Sequence, residues 1–138
     1  MSHFLKFFAV MIVIPFCCAS IVLGQSTKGE KPKARIIKLD LKAKDYQRVL
    51  GGPPETSTMR SGLVTLAPGK DVGKHNTEKF EELVVILEGN GVMFLSGGDT
   101  LRLSVGDVAY CPRHTEHDVL NDGRDTLRYI YIVAETKK

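Results

Sequence analysis

The stretch GKDVGKHNTEKFEELVVILEG, residues 69–89, decides how the chain is read. It sets His75, Thr77 and Glu82 ahead of an uninterrupted apolar run, Leu83 to Leu87, that closes at Gly89. Such a run predicts a strand that is apolar on both faces, one lining an interior and the other packed against a neighbouring layer. Alternation along that strand puts Glu82 on the same face as Val84 and Ile86, and leaves Glu81 as a solvent-side gatekeeper. A second stretch, GDVAYCPRHTEHDVLN, residues 106–121, supplies His114 and His117. Residues so distant in sequence meet only if antiparallel strands fold back on one another, so fold and site form a single hypothesis.

Working outward, almost every segment reads as a short strand. Ala34 to Leu41 is expected to be the first, with Ile36 and Ile37 as its β-branched centre. Asp45 to Leu50 reads as a short strand or one helical turn, and Gly51-Gly52-Pro53-Pro54 forces a loop. Met59 to Ala67 is the next strand, ending at Pro68-Gly69. Asn90-Gly91, between two apolar runs, predicts a tight hairpin into Val92 to Leu95. Gly97-Gly98-Asp99 turns the chain into Leu101 to Val105, and Gly106-Asp107 leads to Val108 to Cys111. Thr115 to Leu120 resumes after Pro112, and Thr126 to Ala134 follows the turn at Asn121-Asp122-Gly123. No helical periodicity is sustained across this region, so the fold class is all-β, a sandwich or small barrel.

The chain has 138 residues, 43% hydrophobic and 25% charged, with a formal net charge of +3. That is the size and composition of one globular domain. The basic residues are not gathered into a block interleaved with aromatics, which argues against nucleic acid as a partner. No Gly-rich loop carries the Lys and Ser/Thr of a phosphate cradle, so neither a nucleotide nor an organic cofactor is expected.

Residues 7–24 carry no charge and follow Lys6, the pattern of a secretory signal. Cleavage is expected after Gly24, or nearby after Ala19 or Ser20. This divides the chain into a signal peptide over residues 1–24, a flexible leader over 25–33 and the folded domain over 34–138. The protein is then extracytoplasmic, either secreted or periplasmic. The rival reading is an uncleaved N-terminal membrane anchor. If the signal is removed, Cys17 and Cys18 leave with it, and Cys111 alone cannot form an internal disulfide.

The two stretches together resemble the paired motifs of the cupin superfamily, specifically its small single-domain, conserved-barrel cupin 2 type. Gly69, His75, Thr77, Glu82 and Gly89 fall at the spacing of the first motif, and Gly106, Pro112, His114, His117 and Asn121 at that of the second. The resemblance implies a single small β-barrel, a jelly roll or double-stranded β-helix. It also implies a divalent metal, Fe, Mn, Ni or Zn, on His75, Glu82 and His117. Two departures stand out. Thr77 occupies the usual second-His position and His114 the usual Gly position, so His114 is a further candidate ligand or a polar turn residue at the barrel mouth.

Two imidazoles and one carboxylate suffice for a facial triad with open positions. The function implied is a partly degraded metal site in a small oxidoreductase acting on an oxygen-rich small molecule. The alternative is a non-enzymatic ligand-binding or structural barrel, and whether the protein is an enzyme stays open. Members of this type also resemble dimers in which the first strand crosses to a partner, so a homodimer through Ile36, Ile37 and Leu39 is expected.

Overall fold

The expected alternation governs the fold. In the strand Phe80–Glu88, Glu82, Val84 and Ile86 are buried while Leu83 is exposed. The computed structural model describes residues 31–136; the apolar N-terminal segment and its expected cleavage sites lie outside them. Among the described residues the elements are β1 (Gln47–Gly51), β2 (Arg60–Leu66), β3 (His75–Asn76), β4 (Phe80–Glu88), β5 (Asn90–Leu95), β6 (Thr100–Ser104), β7 (Val108–Cys111), β8 (Glu116–Leu120) and β9 (Leu127–Glu135). All paired strands are antiparallel.

The strands form two sheets, in the orders β1-β2-β9-β4-β7 and β3-β8-β5-β6. Their inner faces meet in one core, to which the first sheet gives Leu66, Val84, Ile86, Leu127 and Tyr129 and the second gives Met93, Leu103 and Val119. Fully burying an aliphatic side chain of this kind stabilises by about 1.5–3 kcal/mol. The core therefore holds the two layers together without any disulfide; Cys111 is a free, buried thiol.

The expectation of a single closed β-barrel is overturned. Closure needs a hydrogen-bonded ladder between sheet edges, and no strand of one sheet pairs with a strand of the other. The edges that would have to meet are β1 or β7 on one side and β3 or β6 on the other, and β3 is only two residues long. The architecture is all-β with two facing but unclosed sheets, so the jelly-roll and double-stranded β-helix barrel is corrected to an open two-sheet structure.

Two local expectations are also corrected. The segment 34–41 contains no strand; Ile36 there is 92% exposed and the first strand is β1. Asn90-Gly91 does not form a hairpin turn, because both residues lie within β5, opposite Ser104 and Leu103 of β6. The chain instead passes from one sheet to the other at Gly89, with φ of 75°. A side chain there would be doubly opposed: its Cβ would lie 2.3 Å from the Thr126 carbonyl oxygen, and a positive φ disfavours any L residue. The β5–β6 connection is made by Gly97 and Gly98, both at positive φ.

Between β8 and β9, Asn121 ties three parts of the chain together. Its Nδ2 donates to the carbonyls of Leu66 (2.8 Å) and Asp125 (2.9 Å), and its Oδ1 accepts from the Gly123 N–H (3.0 Å). With the side chain fully buried, these bonds hold the end of β8 against the end of β2.

Gly89→Ala is expected to lower the unfolding free energy by about 2–4 kcal/mol, the sum of backbone strain and overpacking at this crossing. Urea denaturation checks it, and an unchanged midpoint would show that the crossing tolerates a side chain.

Candidate metal centre

The local register builds the site. β3 pairs with β8 so that His75 stands directly opposite His117, and directly opposed residues share a sheet face. The two imidazoles are therefore neighbours, with ring centroids 4.3 Å apart and planes tilted by 56°. Glu82 arrives from the other sheet, on the buried face of β4. The site thus spans the gap between the layers. Potential ligand atoms of His75, Glu82 and His117 all lie within 4.8 Å of one another.

Each imidazole is oriented by a bond behind it. His75 Nδ1 lies 2.9 Å from the Gly73 carbonyl, and His117 Nδ1 lies 3.4 Å from both the Thr115 carbonyl and the Cys111 thiol. With Nδ1 as the proton donor in each ring, Nε2 is left as the lone pair for an ion. The Cys111 thiol is pushed up to about 11, first by burial and then by the nearby Glu82 charge, so it stays protonated and packs behind His117.

The geometry at His117 tests whether a metal fits. Its Nε2 is buried and has no hydrogen-bond partner. Glu82 Oε2 lies 3.3 Å away, yet outside the direction in which an N–H on Nε2 would point. Two buried ligand atoms that sit side by side without bonding are arranged as if facing a shared third body. A divalent ion with metal–ligand distances of about 2.0–2.2 Å would satisfy both after a small contraction of the cluster. The residues present therefore fit a metal held by two imidazoles and a carboxylate, while the donor set alone does not choose among Fe, Mn, Ni and Zn.

Without an ion, charge on the His117 ring is favoured by its surroundings. Burial disfavours a charged imidazole, but the adjacent Glu82, helped by the Thr115 carbonyl and Asp118, outweighs it and raises the His117 pKa above the usual histidine value.

Thr77 and His114 are not brought into this cluster. Thr77 is buried, but its hydroxyl is spent on the loop after β7: it donates to the Pro112 carbonyl (2.8 Å) and accepts from the Thr115 N–H (2.9 Å). It clamps the turn that delivers His117 rather than offering a ligand. His114 is exposed at that turn, with φ of 56°, and its N–H donates to the Glu78 carbonyl (2.8 Å). Glu81, on the outer face, accepts from the Tyr110 hydroxyl (2.9 Å).

A cavity of about 300 Å³ opens beside the three residues, walled by Val64, Val72, Phe80, Tyr129, Tyr131 and Val133 among others. Tyr131 reaches out of the wall to Tyr46, hydroxyl to hydroxyl at 2.9 Å, with the rings stacked. Burial keeps both Tyr129 and Tyr131 phenols protonated well beyond the ordinary range, and for Tyr131 the Tyr46 hydroxyl adds to the effect. Sequence reasoning did not single out Phe80. Its position two residues before Glu82, and so on the same strand face, is the signal that would have found it.

Comparison with known proteins bears on the fold that carries these residues. The family described as cupin domain matches residues 62–133. An oxalate-binding protein from Thermotoga maritima is 32% identical over 68 residues, which are 49% of this chain and 55% of that protein. The chain thus spans about half the length of the curated relative it matches. Among solved structures, a cupin 2 conserved barrel domain protein from Salinispora arenicola superposes with a TM-score of 0.62 at 20% identity, over 75% of this chain and 91% of the other. A predicted oxalate decarboxylase from Thermotoga maritima gives a TM-score of 0.55 at 19% identity, over 72% of this chain and all of that one. At these identities the structural likeness shows the fold alone.

Two outcomes are expected. Thr77→Val, which leaves the Thr115 N–H and Pro112 carbonyl without their buried partner, lowers stability by about 1–3 kcal/mol in thermal or urea unfolding, while Thr77→Ser stays close to wild type. Metal affinity falls as pH is lowered through the raised His117 pKa, by about tenfold per unit once the imidazole is protonated, because proton and ion compete for one lone pair. Calorimetric metal titrations across pH 6 to 8 read this directly, and a flat profile would remove His117 from the ligand set.

Proposed function

The chain belongs to the cupin domain family, and we propose that it is a divalent-metal protein that takes a small oxygen-rich carboxylate onto the open positions of the His75, Glu82 and His117 centre. The observation that carries this reading is the buried, unpartnered Nε2 of His117 beside Glu82. The likeness to an oxalate-binding protein supports the choice of a carboxylate.

Within this reading, the protein's own groups have distinct tasks. The Gly73 and Thr115 carbonyls fix the imidazole tautomers, and Thr77 holds the turn on which His117 is presented. Val64, Phe80 and Val133 make the wall beside the centre apolar. A bound divalent ion supplies Lewis acidity toward carboxylate oxygens, and redox capacity if it is Fe or Mn. Oxidoreductase activity is the finer form of the proposal and depends on that choice of metal. A non-enzymatic ligand-binding protein is the second reading. It is favoured by Thr77, whose hydroxyl is committed to the loop where a further imidazole would have completed the cage.

Dialysis against Zn2+, Mn2+, Fe2+ or Ni2+ followed by elemental analysis tests the first step. Stoichiometric retention by the wild type is expected, and His75→Ala, Glu82→Gln and His117→Ala should each weaken it by about a hundredfold or more. Retention unaffected by these substitutions would place the ion elsewhere and end the proposal. Turnover of a small carboxylate by the loaded protein, lost in His117→Ala, would favour the enzyme over the binding protein.

A further inference from the structure

Arg60 opens β2, and its register places it on the inner face. It stands opposite Val133 of β9, and Val133 stands opposite Glu82 of β4, so Arg60, Val133 and Glu82 form one row across the sheet. Adjacent strands lie about 4.8 Å apart, which puts the Arg60 backbone about two strand spacings from that of Glu82. Val133 and Phe80 line the cavity, and Arg60, exposed at the strand end, borders both without lining it.

The side chain is held there. Its stem crosses Gly52, where an added Cβ would lie 2.9 Å from Arg60 Nε and 3.1 Å from Cγ, and where φ is 85°. Its guanidinium then covers the ring of Phe80, 5.5 Å from the centroid, and Phe80 is itself a cavity wall. The charge is close enough to Tyr131, another wall residue, to pull its phenol pKa downward against the larger effects of burial and Tyr46.

Two cations flank Phe80, and they differ in one respect. Lys79 also lies 5.5 Å from the ring centroid, but its ammonium is paired with Glu135 at 2.9 Å. Among the described residues Arg60 has no carboxylate partner and no side-chain hydrogen bond. A guanidinium that is positioned by packing and has an unfilled planar donor fork is suited to bidentate recognition of a carboxylate.

The charge balance indicates what would fill it. A divalent ion on two neutral imidazoles and one carboxylate carries a net positive charge, and Arg60 adds a second positive charge at the same cavity. The wall residues between them are apolar or phenolic. The complementary guest is a small dianion with negative groups at both ends.

We infer that Arg60 is a specificity-determining residue that receives the distal carboxylate of a small dicarboxylate whose proximal carboxylate lies at the His75, Glu82 and His117 centre. This rests on the metal-centre reading above and extends it by naming the second anchor and the substrate class.

Isothermal titration of acetate, malonate and succinate into the Zn2+-loaded protein tests it. The wild type should bind at least one dicarboxylate about tenfold or more tighter than acetate, as one added charge-assisted pair implies. Arg60→Met, which keeps the apolar stem, should erase that preference while leaving acetate and Zn2+ affinities near wild type. Arg60→Lys should retain part of the preference, and Lys79→Met should leave it intact; unchanged thermal unfolding confirms that each variant is folded. A dicarboxylate preference that survives in Arg60→Met, or that falls equally in Lys79→Met, overturns the assignment of Arg60 while leaving metal-dependent acetate binding in place. Failure of the Zn2+-loaded wild type to bind any of the three overturns both the assignment and the reading on which it rests.

Discussion

A carboxyl group buried between two sheets must be compensated, and the arrangement around Glu82 follows from that need. Glu82 is only 7% exposed, and the atom facing it, His117 Nε2, is buried without a hydrogen bond. An uncompensated buried charge costs several kcal/mol, a large share of the roughly 5–15 kcal/mol by which a domain of this kind is stable. Something positive has to stand beside the carboxylate. The carboxylate raises the His117 pKa, which favours a compensating charge on that ring, and a divalent ion would supply one while also engaging His75.

The two-sheet architecture makes this compensation local and accessible. Both histidines come from one cross-strand pair, while the carboxylate comes from the facing sheet, so the centre sits where the layers separate. Deeper between the layers the same faces are filled by Leu66, Ile86, Met93 and Leu127 and need no ligand. Because the sheets do not close on one another, the space beside the three residues remains a cavity that reaches the surface at His75.

The departure of Thr77 from the usual family pattern is a change of task, not a loss of one. A hydroxyl at that position can both donate and accept within the backbone, which an imidazole presenting a lone pair to a metal could not do in the same way. The second strand pair is too short to set the loop after β7 by itself, since β3 has two residues. Thr77 supplies the missing bonds to Pro112 and Thr115, two residues before His117. An imidazole is thereby exchanged for a better defined position of His117.

Much of this was legible in the residues alone because strand alternation is a local rule. The buried phase of Glu82, Val84 and Ile86, the strand carrying His117 and Val119, and the all-β class follow from spacing within single segments. Asn90-Gly91 shows where local rules stop: the dipeptide favours a tight hairpin, but β5 pairs with β6 and β8 in the other sheet, and that competition overrides the turn preference. Whether the sheets close, which atom Thr77 bonds, and that Arg60 shares a row with Glu82 depend on register between strands distant in sequence. Sequence by itself determined which residues face inward, because side-chain direction alternates along one strand. Only the tertiary structure decided which inward residues meet, because that is set by hydrogen-bond register and by the packing of two layers against each other.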